Sequence, residues 1–318
     1  MAGVGRAFGK LLLFGEHAAV HGYMAVGTAL PEETTARLDG GPAREWDLAA
    51  IPAANREPLR AILASMENLI PGLAVRGRCS VRIESRVVQG AGFGSSAALC
   101  GAVARAALAH AGVGDTTRTE EEWRLAHSAE RTFHGTPSGI DTGLSLLGGT
   151  CVFRPRPPAL PAWERLVHSP LWLVVGAVPR DAACGELVGA LSRRIASGDA
   201  AARAGIESLG ELAAAAVSAL RAAGGGAAVR IARLADDAMG YLRGLGLSTP
   251  ALEQVMDAGR AAGALGGKLS GAGAGGAFYL VAEDEAGARA VAARVQKDCS
   301  SAGFISPARV LTLGGAAL

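Results

Sequence analysis

Three glycines at alternate positions, Gly90, Gly92 and Gly94, run straight into Ser95 and Ser96 and then into an alanine-rich segment. Glycine lets a backbone approach an anion and turn successive N–H groups toward it, and a helix beginning at the same place adds about half a positive charge. The two serine hydroxyls can cap that helix or reach a phosphate or its metal. Gly90, Ala91, Gly92, Phe93, Gly94, Ser95 and Ser96 therefore read as a phosphate cradle. Other glycine signatures fail on spacing. Gly90-x-Gly92-x-Gly94 is not the GxGxxG of dinucleotide folds, and Ala262 and Leu269 break a Walker pattern around Lys268. Thr136 and Ile140 stand where a GxSxG nucleophile elbow needs glycine. Glycine makes up 45 of the 318 residues, so spacing and neighbours carry more weight than glycine content.

Charged residues add to the picture. The basic residues are overwhelmingly arginine, with lysine only at Lys10, Lys268 and Lys297. The first two lie in glycine-flanked motifs, where retention of lysine points to a need for a compact ammonium. A helix opened by a Thr119–Glu122 capping box places Trp123, Ala126, Glu130 and Phe133 on one face. Glu130 thus falls on the apolar side, where either an arginine such as Arg124 or Arg131 pairs with it at the rim or a buried cation or metal compensates it. Asp141 can cap the turn after Pro137 or act chemically. His17 and His21 fall in a glycine-flanked loop, and His110, His127, His134 and His168 read as structural. Lys268 can equally be a structural cation at a helix end.

The elements that must carry these residues alternate between strand and helix, which makes the class mixed α and β. Lys10 to Phe14 reads as a buried strand, EETTARLDG and CSVRIESRVV as half-buried strands, and Glu57 to Ile70 and Ala97 to Ala111 as helices. TPSGIDTGLSLLGGTCVF reads as a turn leading into a strand, and RPRPPALPAWERL as an irregular connection. LWLVVGAVPR is a strong buried strand that opens a second domain near Ser169, so that residues 1–168 and 169–318 form two domains. Long helices follow (Leu187 to Ala222 with a break near Gly198, Ala227 to Arg243, Thr249 to Ala262), then a glycine-rich loop, the strand GAFYLVA and a helix from Glu285 to Ser300.

A formal net charge of +2 without a Lys/Arg block argues against nucleic acid or a membrane surface as partner and favours a small molecule. The N-terminal MAGVGRAFGK has no signal-peptide core, so a cytoplasmic protein is expected. Five scattered cysteines with no CxxC pair indicate neither a disulfide framework nor a zinc site.

Three segments, GKLLLFGEHAAVHG (Gly9 to Gly22), GAGFGSSAA (Gly90 to Ala98) and KLSGAGAGGA (Lys268 to Ala277), resemble in order and spacing the signature motifs of the kinase superfamily that contains galactokinase, homoserine kinase, mevalonate kinase and phosphomevalonate kinase. Within it, GEHAAVHG and GTPSGID are similar to the mevalonate-kinase branch. The resemblance implies an α+β, two-domain small-molecule kinase fold, an S5-like α/β N-terminal domain and a ferredoxin-like C-terminal one, with ATP and substrate between them. It further implies that Ser96 and Glu130 hold Mg²⁺, that Gly90 to Ser95 wrap the ATP phosphates, and that Asp141 with Lys10 faces the acceptor hydroxyl. Glu16 and His17 would line the substrate pocket, and the loop of Gly271, Ala272 and Gly273 through Gly275 would close over nucleotide and substrate. The implied reaction is phosphorylation of the primary alcohol of mevalonate, in a homodimer. Departures exist: Val88 replaces Pro, Phe93 replaces Leu, Ser270 replaces Thr, and Asp181-Ala182 stand in place of a Ser-Thr pair after VPR. Another small alcohol, an isoprenoid intermediate or a polyol, is thus an alternative acceptor. A non-catalytic ligand-binding homologue is a third reading, against which intact Lys10, Glu130 and Asp141 argue.

Overall fold

The structure is a computed structural model that describes residues 2–113, 119–134, 137–181, 184–222 and 226–314. In chain order these form β1 (Gly3–Phe14), β2 (Ala25–Ala43), α1 (Ala53–Leu69), α2 (Pro71–Arg76), β3 (Arg78–Ser85), α3 (Ser95–Ala111), α4 (Thr119–His134), α5 (Ile140–Leu147), β4 (Thr150–Arg156), β5 (Ala159–Arg165), β6 (Leu171–Val178), α6 (Cys184–Ala196), α7 (Ala200–Arg221), α8 (Ala227–Gly244), α9 (Pro250–Ala261), β7 (Gly266–Leu269), β8 (Gly276–Ala282), α10 (Glu285–Asp298) and β9 (Ser306–Leu313). They gather into two compact units. The first comprises Met1–Lys10, Ala29–Gln89 and Gly94–Gly148; the second comprises Leu11–Thr28, Gly90–Phe93 and Gly149–Leu318. No helix among the described residues is long and apolar enough to cross a membrane.

The first unit is built around α3. Ala97, Ala98, Cys100, Ala102, Val103, Ala104, Ala106 and Ala107 are buried, as expected of a helix without a broad polar face. Small residues let backbones come close: added methyls on Gly3 and Gly5 of β1 would strike the carbonyls of Ala106 and Ala102. β2 pairs with β3 antiparallel from Thr34↔Ser85 to Ala43↔Arg78. Arg105 of α3 then ties three further elements together. It donates to Glu122 on α4 (2.8 Å), to the Arg6 carbonyl on β1 (2.7 Å) and to the Leu146 carbonyl at the end of α5 (2.9 Å). Those are the elements that carry Glu130, Lys10 and Asp141.

The second unit holds the four-stranded antiparallel sheet β7-β8-β6-β9. Its chain order, with helices after β6 and between β8 and β9, is the split βαβ arrangement of ferredoxin-like domains. β6 is apolar along its whole length and buried at every position but the half-buried Trp172, and it is paired on both edges, by β8 and β9. In the same unit β4 pairs with the start of β2 from Ala25↔Phe153 to Thr28↔Thr150, and with β5 on its other side.

Several local expectations are corrected. Residues 140–147 form the helix α5 rather than the approach to a strand, since Gly139 (φ 80°) turns the chain and Ile140, Leu144 and Leu147 recur at helical spacing. The proline-rich stretch after it is the hairpin β4–β5, not an irregular link; β5 is the edge of its sheet, where Pro161 removes no needed donor. The glycine-rich loop before GAFYLVA contains the buried strand β7, and Lys268 sits in that strand rather than at a helix end. Phe133 is 37% exposed although Trp123, Ala126 and Glu130 on its helix are buried.

Arg105→Met should cost about 2 kcal/mol in urea-induced unfolding, because its fork is partly solvated yet makes bonds to three elements at once. Arg105→Lys should recover less than half of that, and an unfolding midpoint equal to the parent's in both variants would remove the anchoring role.

Candidate active site

In the first unit, Gly94 caps α3 in the left-handed conformation (φ 74°, ψ 36°) and has no side chain with which to satisfy the first-turn N–H groups. A methyl at Gly94 would also lie 2.6 Å from Cγ of Lys10, so glycine is required by conformation and by room. Lys10, at the end of this unit's part of β1, is 4% exposed and places Nζ 3.1 Å from Oδ2 of Asp141. Asp141 lies in the first turn of α5, where the helix dipole favours a carboxylate, and its side chain remains 38% exposed. It is not the cap: Gly139 holds that position, with its carbonyl accepting from Trp123 Nε1 (2.8 Å) and Thr142 Oγ1 (3.1 Å).

Glu130 is 1% exposed, and its Oε2 has no hydrogen-bond partner among the described residues. Burial first, and the neighbouring Asp141 second, push its carboxyl up to about 8, against the opposing pull of Lys10 and the Thr142 hydroxyl. The rim reading therefore fails: Arg124 pairs instead with Glu120 on the exposed face (2.6 Å). A buried carboxylate oxygen without a partner fits a hard divalent cation. Among the described residues no group of three or more His, Cys, Asp or Glu could hold a metal, so the protein donors would be few, as Mg²⁺ accepts when phosphate and water complete its shell.

The second unit arranges the rest of the first and third motifs. Lys268 is fully buried and ion-paired with Glu16, itself 2% exposed. Its ammonium also donates to the carbonyls of Leu13 (3.3 Å) and Leu269 (2.7 Å) and lies 5.7 and 5.5 Å from the ring centres of Phe14 and Tyr279. Burial pushes the lysine's pKa down and Glu16 pulls it back up. Ser270 Oγ accepts from Leu12 N (3.1 Å) and donates to Leu12 O (2.8 Å), while Tyr279 OH donates to Leu13 O (2.9 Å). Tyr279 is not singled out by sequence, and Ser270 only as the replacement of a motif threonine, although the alternation Lys268-Leu269-Ser270 is the signal of a strand that alternates its faces.

His17 follows at a strained φ of 44°. Its Nε2 is 2.9 Å from the Ala272 carbonyl and must donate to it, which leaves Nδ1 as an acceptor. That Nδ1 is buried without a partner among the described residues, and burial holds the imidazole below its usual range. Gly90 and Gly92 have φ of 74° and 88°, and Gly271 and Gly273 both 88°. Ala91 and Phe93 are buried. Thus Lys10, Glu130 and Asp141 come together in one unit with Gly94, Ser95 and Ser96 at the start of α3. Glu16, His17 and Ala272 come together in the other, flanked in sequence by Gly271 and Gly273. His110 and His168 bond backbone carbonyls of Gly77 and Ser169, and Ala182 and the His134 side chain lie outside the described residues.

Lys268→Met leaves the Glu16 carboxylate buried and unpaired and should cost about 3–5 kcal/mol, with most of the loss recovered in Lys268→Met/Glu16→Gln. Additive effects in that cycle would show that the two groups do not depend on each other. A second test uses pH. The Glu130 carboxyl is held near 8 when folded against its ordinary 4.5, so the folded chain holds a proton that the unfolded chain has lost, and stability falls as pH rises toward and through 8. The neutral buried His17 penalises stability only below its ordinary 6.5, so the metal-free protein should show a falling melting temperature from about pH 6.5 to 8.5. Glu130→Gln should abolish that slope, and a slope left intact would place the proton elsewhere.

Known proteins match this arrangement along most of the chain. Residues 58–149 match the model of the GHMP kinases N terminal domain, and residues 216–301 that of the GHMP kinases C terminal region. Mevalonate kinase from Pyrococcus abyssi is 28% identical over 296 residues, covering 86% of each chain, and that from Aeropyrum pernix is 29% identical over 288 residues, covering 84% of this chain and 85% of that one. The crystal structure of L. major mevalonate kinase in complex with R-mevalonate superposes with a TM-score of 0.80 at 25% identity, over 100% of this chain and 97% of that one. With both family regions present in order on this fold, the chain belongs to the GHMP kinases and is a small-molecule kinase, with the ATP use that the family implies.

Proposed function

We propose that this kinase transfers the terminal phosphoryl group of ATP, with Mg²⁺, to the primary alcohol of mevalonate, giving 5-phosphomevalonate. The observation that carries the reading is the Lys10–Asp141 contact at 3.1 Å, with a half-exposed carboxylate available to an alcohol. Asp141 orients the hydroxyl and takes its proton as the new bond forms, and Lys10 stabilises the charge that develops. The N–H groups along Gly90, Ala91, Gly92, Phe93, Gly94 and Ser95 hold the nucleotide phosphates, and Ser96 Oγ with Glu130 Oε2 would hold Mg²⁺. When bound, such a cation would offset negative charge on the nucleotide. On the acceptor side, the bare Nδ1 of His17 accepts a hydrogen bond from the substrate, Glu16 sets the position of that loop, and Gly271, Ala272 and Gly273 cover it. Mevalonate is favoured by the relatives' names and by GEHAAVHG; Asp181, where the branch has serine, favours the second reading of a different small alcohol. We propose a boundary between the two family domains at Ser169, just before β6, the first strand in chain order of the sheet β7-β8-β6-β9.

ADP release measured against mevalonate, phosphomevalonate, homoserine, galactose and inositol tests the acceptor; a tenfold or greater preference in kcat/KM for another member, about 1.4 kcal/mol, would refute mevalonate. Asp141→Asn should bind ATP as before and keep its stability within about 1 kcal/mol, while kcat falls by roughly three orders of magnitude, about 4 kcal/mol. A variant that keeps about a tenth of the parent's turnover would exclude Asp141 as the acceptor-side base.

A further inference from the structure

Asp141 stands in the first turn of α5, a helix of 8 residues. So short a helix closes few hydrogen bonds of its own and depends on its surroundings to hold its first turn in place. Its cap offers no side chain for that purpose: Gly139 lies in the left-handed region (φ 80°, ψ −10°) and cannot bond the first N–H groups. The buried Gly139 carbonyl is instead the point at which α5 is gripped. It accepts the first helical bond from Gly143 N (2.9 Å), a bond from Thr142 Oγ1 (3.1 Å) and a bond from Nε1 of Trp123 (2.8 Å). Of these three donors, Trp123 alone lies on another element, α4.

Trp123 is 2% exposed and stands two helical turns before Glu130 on the same face of α4. One helix therefore carries both the dry carboxyl of Glu130 and the ring N–H that grips the residue two before Asp141. Thr142 does not duplicate this bond. Its hydroxyl has one proton and two acceptors, the Gly139 carbonyl and the Glu130 carboxyl, so the carbonyl loses that bond whenever the proton turns to Glu130. The indole N–H bonds the Gly139 carbonyl alone and stays on it. We propose that Trp123 is a positioning residue for phosphoryl transfer: its N–H locks the first turn of α5 to α4 and so sets the Asp141 carboxylate relative to Glu130. This rests on the reading of Asp141 as the group that meets the acceptor hydroxyl. Lys10 touches that carboxylate directly, whereas Trp123 holds the backbone that carries it. In-line transfer tolerates little displacement, and a misplacement of about 1 Å can cost about a hundredfold in rate.

The test uses the full-length chain with Trp123→Phe, with the benzothiophene isostere of tryptophan at position 123, with Asp141→Asn, and with each Trp123 replacement combined with Asp141→Asn. ADP release gives kcat and KM with Mg²⁺, ATP and whichever acceptor of the five-compound panel has the highest kcat/KM; calorimetry gives ATP affinity, and melting temperature reports folding. The isostere keeps the ring's shape and puts sulfur in place of N–H, so it reports on the bond alone where phenylalanine leaves space. Both replacements should lower kcat about tenfold or more, with ATP affinity and acceptor KM within about twofold of the parent. On the Asp141→Asn background they should lower kcat no further, because a residue that acts through Asp141 has nothing left to position. A tryptophan that only fills space would lower the melting temperature and multiply its loss onto that of Asp141→Asn. The proposal is overturned by an isostere variant with the parent's kcat, or by losses that multiply in the combined variants while Asp141→Asn alone is inactive. If Asp141→Asn itself keeps the parent's turnover, the reading of Asp141 fails, and the proposal falls with it.

Discussion

A lysine with no access to water fastens the first motif of this chain to its third. The backbone of Leu12 and Leu13 is buried at the end of β1, and buried carbonyls and N–H groups must find partners. They find them in side chains: Ser270 serves Leu12, and Tyr279 and Lys268 both serve Leu13. Burying the ammonium requires a counter-charge, which is Glu16. Once Glu16 is held, His17 is held beside it, with a strained φ, its tautomer fixed by the Ala272 carbonyl and one bare nitrogen. A structural ion pair thus fixes the neighbouring residue whose second ring nitrogen stays without a partner among the described residues.

The charge balance of the first unit is left incomplete by its own side chains. Glu130 and Asp141 are close enough to raise the Glu130 pKa, and Lys10 lies against Asp141. One ammonium does not compensate two carboxylates, and the deeper one holds its proton near neutral pH. Such a site favours an added divalent cation over either charged state of the protein alone. The more exposed carboxylate, Asp141, is the one that lies beside the lysine.

The glycines of the motifs have two uses. In sequence they signal an anion, because they free backbone N–H groups. In space they also admit cations: Lys10 passes the bare face of Gly94, and Arg180 that of Gly92 and Gly276. In each unit the missing methyls thus leave room for a full positive charge beside a glycine turn.

Much of the chemistry was legible in the residue order. The strand β6, the helices α7 to α10 and the cradle opening α3 follow from apolar runs, periodicity and glycine spacing, which are local properties. The membership of the family was legible too, since three motifs in fixed order have a physical meaning that composition lacks. Local pattern failed where pairing partners decide structure. The hairpin β4–β5 is proline-rich and forms because β5 is an edge, and β7 is a strand despite its glycines because β8 pairs with it. It failed as well on the functional state of individual side chains. The sequence by itself determined that Glu130, Asp141, Lys10 and Lys268 are present at telling positions. Only tertiary structure decided that Lys10 faces Asp141, that Lys268 is spent on Glu16, that Glu130 is dry and that Arg180 reaches the cradle, because burial and charge pairing depend on which distant segments share a volume.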